Sequence, residues 1–315
     1  MTVALLATSH SPLLEHVELP DNVAHELEEA FEVGRRFVRK FDPDLVINFG
    51  PDHYNGFFYR LMPPFCIGYA AESIGDYGSQ AGRLDVPRDL AEELARAALD
   101  AGIDVAVSLD MQVDHGFVQP MEIMFGDINA RPSIPVFLNS VAPPYTPMKR
   151  VRLLGEAIGR HLARLDAKVL LIASGGLSHD PPAPRLENAT PEQLSSVMGE
   201  GQPLSPEARE ARQQRVIAVA RDFAAGRASI QELAPEWDTE FMATLASGDL
   251  RRVDDMEPAE MTRIAGHSSH EVRTWVAAYA ALNVLGPYTV HYSYYRPIRE
   301  LIAGFGLTTA TLDQS

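Results

Sequence analysis

Ten histidines are spread along the 315-residue chain, and four of them share one setting. Each follows a short apolar run and lies beside glycine or proline. His10 stands in Ser9-His10-Ser11-Pro12 and His53 in Pro51-Asp52-His53-Tyr54-Asn55-Gly56. His115 stands in Met111-Gln112-Val113-Asp114-His115-Gly116, and His179 in Ser174-Gly175-Gly176-Leu177-Ser178-His179. Turn residues of this kind aim a side chain at the end of a strand. One such histidine reads as a loop residue with an ordinary hydrogen bond; four in the same position read as a cluster. Imidazoles bind metals and exchange protons near neutral pH, so the chemistry on offer is metal ligation and acid–base work. No cysteine accompanies them, which argues against a structural zinc. Two imidazoles and one carboxylate with open positions form the set of non-haem iron(II) oxygenases, and the same set suits a hydrolytic zinc.

The carboxylate is harder to read. Asp52 and Asp114 adjoin histidines, where a hydrogen bond to a ligand is the commoner role. Glu271, in Ser268-Ser269-His270-Glu271-Val272-Arg273-Thr274-Trp275, opens a helix with Ser268 or Ser269 as its N-cap. A carboxylate in a first turn is favoured there with no function required. Local sequence leaves Glu271 evenly placed between cap and ligand. His267 and His270 beside it read as polar cap or supporting residues. His16, His25, His161 and His291 sit on helix-like or strand-like segments and read as structural or solvated.

The elements that must position these residues are short apolar runs alternating with amphipathic stretches. Runs at 3–7, 45–49, 105–109, 134–139 and 169–173 read as buried strands, and 23–41, 90–101 and 151–165 as helices. Such alternation predicts an α/β fold with a mostly parallel central sheet flanked by helices. Residues just past the carboxyl ends of parallel strands converge on one crevice, so distant histidines can be neighbours. From 180 to 205, Pro181, Pro182, Pro184, Gly199, Gly201 and Pro203 mark an irregular connection or lid. Helices then follow at 206–225, through 246, and at 258–285, a helical cover supplied by the C-terminal half, before a late strand at 288–295. No internal repeat is visible, and residues 1–315 read as a single domain.

With 46% hydrophobic residues the chain can build a substantial core, and a formal charge of −16 disfavours nucleic acid and anionic membranes as partners. Cys66 stands alone, which excludes an internal disulfide and suits a reducing compartment; its apolar surroundings read as core. The first residues read as a strand and not as a signal peptide, and no apolar run is long enough to span a bilayer. The expected location is the cytoplasm.

Taken in order, five segments resemble the class III extradiol ring-cleavage dioxygenases: the His10 and His179 motifs, 51–58 around His53, 111–117 around His115, and His270-Glu271 with Trp275. The likeness runs from the first strand to Ala303-Gly304-Phe305-Gly306; residues 308–315 look unmatched. The resemblance implies iron(II) on His10, His53 and Glu271, with His115 as general acid and His179 as general base. It implies a small aromatic diol and O2 as partners, and ring opening of 3-(2,3-dihydroxyphenyl)propionate or 2,3-dihydroxycinnamate in aromatic catabolism by a homo-oligomer. The alternatives are the same chemistry on protocatechuate, gallate or an aminophenol, a zinc-dependent hydrolase on the same cluster, or a non-catalytic binding protein. The last would be expected to lack one of the five residues, and none is missing. Arg60, Arg296 and the tyrosines of 292–295 are candidates for the side-chain carboxylate by composition only, because an arginine beside tyrosines is usually a solvated charge.

Overall fold

The computed structural model describes residues 2–186, 189–200 and 204–313. Its first strand, β1 (Thr2–Thr8), sends Val3, Leu5 and Ala7 into one hydrophobic cluster and Ala4 and Leu6 into another. Alternation of this kind, apolar on both faces, requires helices on both sides of the sheet. One layer holds α2 (Arg88–Asp100), α4 (Met148–Leu162) and α9 (Val272–Asn283). The opposite layer holds α1 (Asp21–Phe41) and α3 (His115–Phe125). The second cluster also takes Ile217, Ala220 and Phe223 from α6 (Pro206–Ala224).

At the centre of the eight-stranded sheet β1, β9 (Lys168–Ser174), β2 (Leu45–Gly50) and β8 (Ser133–Leu138) run parallel. The expected parallel sheet holds there and becomes mixed outside. β11 (Ala303–Leu312) is antiparallel to β1, and β10 (Tyr288–Ile298) to β11. β3 (Phe65–Gly68) is antiparallel to β8 and carries β6 (Ala106–Ser108) at the edge. β11 includes residues 308–312, the part of the chain whose sequence looked unmatched. A small second sheet joins β5 (Ala81–Arg83), β4 (Ala71–Ile74) and β7 (Met111–Val113).

Two differences from the sequence reading bear on the site. His10, His53 and His179 follow β1, β2 and β9 of the main sheet, as expected. His115 instead follows β7 of the small sheet and opens α3, a helix that Pro120 within it had concealed. The second difference lies at 258–285, read as helical with Glu271 opening a helix capped by Ser268 or Ser269. α8 (Pro258–Ala265) stops at Gly266, whose φ is 95° and whose absent side chain lets the carbonyl of His179 approach; a Cβ there would stand 2.3 Å from that oxygen. A 3-10 turn, Ser269–Glu271, then leads into α9.

α9 is a core helix and not a cover, buried from Val272 to Leu282. It packs on α4 at very close range, since a Cβ on Gly155 would lie 2.1 Å from the Ala277 carbonyl oxygen. The cover is formed by α6, α7 (Pro235–Ala246), α8 and the short α5 (Pro191–Val197). α5 lies in the stretch expected to be irregular; Gly201 and Pro203 of that stretch lie outside the described residues. Among the described residues no helix is long and apolar enough to cross a membrane.

Candidate active site

All five residues singled out from the sequence meet at the carboxyl ends of β1, β2 and β9. Ring centroids of His10 lie 5.3 Å from His53 and 5.4 Å from His115, while His53 and His115 stack at 4.5 Å. Glu271 reaches this group from the turn before α9. Its Oε1 lies 3.2 Å from His53 Nε2 and 3.1 Å from His179 Nε2, and its Oε2 lies 3.6 Å from His10 Nε2.

The Glu271 carboxylate does not serve its own helix as a cap. Neither Ser268 nor Ser269 caps the helix with its side chain; Ser269 Oγ bonds the Gly266 carbonyl instead. The Glu271 carboxylate accepts no bond from its own helix end and turns away. Its Oε2 accepts a hydrogen bond from the Gly176 backbone N–H at 2.8 Å, across to the loop after β9. A Cβ on Gly175 would lie 2.6 Å from the Glu271 carbonyl oxygen, so the glycine pair lets the two segments touch.

The outer nitrogens of the four rings are all engaged. His10 Nδ1 meets Ser174 Oγ at 2.9 Å, and His53 Nδ1 meets Asp114 Oδ2 at 3.0 Å. His115 Nδ1 meets Asp76 Oδ2 at 2.6 Å, and His179 Nδ1 meets the Leu177 carbonyl at 2.9 Å. A carboxylate or carbonyl on Nδ1 fixes the proton there and leaves Nε2 as the free nitrogen. Asp114 also accepts from the backbone N–H of His53 and of Gly116, and Asp76 from that of His115. Asp52 accepts three backbone N–H bonds, from Asn55, Gly56 and Phe57, and so shapes the loop that carries His53. Asp76 escaped the sequence reading, and Ser174 and Gly176 entered it only as part of the His179 motif, because nothing in local sequence ties Asp76 to His115, Ser174 to His10 or Gly176 to Glu271.

Charge follows burial. Burial pushes His10 down to about 3, so it is a neutral ring with a lone pair to offer. Burial also opposes the charge of Glu271, but His179 and His10, with hydrogen bonds from His179 and His53, outweigh it and hold the carboxylate well below its ordinary range. Against the same desolvation, Asp114 and Glu271 hold His53 well above the usual imidazole value, and Glu271 raises His179. An anionic carboxylate facing the Nε2 atoms of His10, His53 and His179 suits a divalent cation held by that carboxylate and two of the imidazoles. The nitrogens of His10, His53 and His115 also converge within 4.8 Å, a second, three-imidazole set.

Other candidates lie elsewhere. Arg60 is exposed, Arg296 pairs with Glu26 of α1, and the Tyr295 hydroxyl donates to Asp238. His267 is held by Asp180, and His270 lies between Thr262 and Arg273. Cys66 is buried, as expected.

Comparison with known proteins agrees with this geometry. The family model described as the catalytic LigB subunit of aromatic ring-opening dioxygenase matches residues 4–306. A Rhodococcus rhodochrous protein named 2,3-dihydroxyphenylpropionate/2,3-dihydroxicinnamic acid 1,2-dioxygenase is 56% identical over 313 residues, 99% of either chain. Its namesake from Rhodococcus globerulus is 54% identical over 312 residues, again 99% of either chain. One from a Mycobacterium species (strain MCS) is 54% identical over 310 residues, 98% of this chain and 99% of its own. With a match spanning nearly the whole chain, and with the histidine cluster in place, the chain belongs to the LigB family of aromatic ring-opening dioxygenases, enzymes that cleave catechols beside the diol.

Proposed function

We propose that this enzyme opens 3-(2,3-dihydroxyphenyl)propionate and 2,3-dihydroxycinnamate next to the diol, with iron(II) held by His10, His53 and Glu271. The observation that carries the ligand assignment is the common orientation of the rings, with every Nδ1 engaged outward and Glu271 facing the Nε2 atoms of His10, His53 and His179. The names of relatives that match at 54–56% identity support the substrate. Iron(II) bound there would gather both catechol oxygens, lower their pKa and relay electrons to dioxygen.

The remaining chemistry is proton handling by the chain. With Glu271 committed to a metal, His179 would keep its proton on Nδ1 at the Leu177 carbonyl and offer Nε2 to a catechol hydroxyl proton. His115 has a different support. Its Nδ1 rests on the Asp76 carboxylate, which fixes the ring and leaves Nε2 as the nitrogen that would deliver a proton. His10, His115 and Glu271 are buried, which limits water on their side of the cluster.

The three-imidazole set is the rival and would suit a zinc-bound water. The contacts of Glu271 with His10, His53 and His179 favour the set that includes the carboxylate. Oxygen uptake by iron-loaded protein on 3-(2,3-dihydroxyphenyl)propionate, with a yellow ring-opened product, is the test. Preference for protocatechuate, gallate or an aminophenol would overturn the substrate. Activity with zinc and none with iron would overturn the metal.

A further inference from the structure

Arg273 has no solvent exposure, and among the described residues no carboxylate pairs with it. Its Nε donates to the Thr146 carbonyl at 3.0 Å. Its Nη1 donates to His270 Nδ1 at 2.7 Å and to the His270 carbonyl at 3.3 Å. Nη2 is buried without a partner. The Tyr145 ring lies 5.1 Å from the guanidinium carbon and stacks on the His270 ring at 3.7 Å. A buried cation facing a neutral imidazole, a ring and two carbonyls, with no carboxylate beside it, is costly. The arrangement makes sense when an anion arrives to complete it.

The position suits that anion. His270 adjoins Glu271, and Arg273 lies one turn beyond His270 on the segment that delivers Glu271 to the cluster. Tyr145 also feels Asp180 and Arg185, at the start of the connection over the site. With Nε and Nη1 engaged, Nη2 is the nitrogen left to donate to a carboxylate, and in a dry pocket a charged bond of this kind strengthens.

We propose that Arg273 is the specificity residue for the substrate's side-chain carboxylate, donating from Nη2, with Tyr145 as the wall beside it. The inference rests on the substrate reading above. Of the arginines near the cluster, Arg212 is the competitor, since it donates to the His53 carbonyl at 2.6 Å.

The test compares iron-loaded wild type, Arg273→Met, Arg273→Lys and Arg212→Met on 3-(2,3-dihydroxyphenyl)propionate and on 3-propylcatechol, a neutral diol of matching length. Arg273→Met is expected to raise KM for the acid about 10- to 150-fold, the range of a charged hydrogen bond, while kinetics on 3-propylcatechol and iron content hold. Arg273→Lys keeps charge but loses the fork; the same acid-specific rise in it supports the inference even if the methionine variant does not fold. Equal losses on both substrates would make Arg273 structural and overturn the inference. So would an acid-specific penalty confined to Arg212→Met. A wild-type preference for the acid that survives in Arg273→Met overturns the inference alone. No wild-type preference overturns the substrate reading and this inference with it.

Discussion

Asp114 holds His53 at two points with a single oxygen: Oδ2 accepts from the His53 backbone N–H at 2.9 Å and from its Nδ1 at 3.0 Å. The other oxygen caps α3 through Gly116 N–H, so the helix carrying His115 and the loop carrying His53 share one anchor. Asp114→Asn replaces an acceptor with an amide that cannot serve both. Ferrous affinity is expected to fall about 10- to 100-fold, the usual effect of losing a ligand's supporting carboxylate. Competition with a chelator measures it, and an unchanged affinity in folded protein removes Asp114 from the support of the site.

Glu271→Gln keeps the shape of the side chain and removes its charge. Gly176 N–H retains an oxygen acceptor, so the fold is expected to survive while iron content after dialysis falls to background. An iron-replete, active Glu271→Gln protein would instead assign the metal to the three imidazoles of His10, His53 and His115.

For the proton carriers the expectation is the reverse. His115→Gln and His179→Gln are expected to keep iron and to lose turnover by about 10²- to 10⁴-fold, the span of general acid–base catalysis. Loss of iron in either variant would make that residue a ligand.

His270 gives a pH test away from turnover. Burial first, then the neighbouring charge of Arg273, pushes its pKa down to about 2, so the folded protein keeps the ring neutral where the unfolded chain protonates it near 6.5. The unfolded state thus binds more protons below pH 6.5, and stability owed to this ring is lost on acidification. In metal-free protein, His270→Gln should gain on wild type by about 1.4 kcal/mol per pH unit as pH falls from 6.5 toward 4.5. Urea titrations at several pH values give the difference; a gap that does not change with pH would contradict it.

The histidines were legible in the sequence because β1, β2 and β9 are long apolar runs ended by glycine or proline, and strand ends of one sheet must meet. His115 was legible by the same signal, though it arrives from a different sheet. Glu271 was not, since any glutamate at a helix start satisfies the same local rule; only its contact with Gly176, 95 residues away, separates the readings. Asp76 bonds His115 across 39 residues from a short turn with no periodicity to flag it. Arg273 was passed over for a related reason, because an arginine in a helix reads as solvated until its surroundings are known.

The turn that delivers Glu271 has a consequence for the life of the chain. Synthesis proceeds from the N-terminus, and His53 and Glu271 are 218 residues apart. The bond from Gly306 N–H to Ser9 Oγ, beside His10, spans 297. A growing chain can complete the central parallel strands and their histidines long before the carboxylate and the neighbouring strand leave the ribosome. On the proposed ligand set, the site would therefore be complete only after residue 271 has been made, and a chain cut short before it would carry the histidines without their carboxylate.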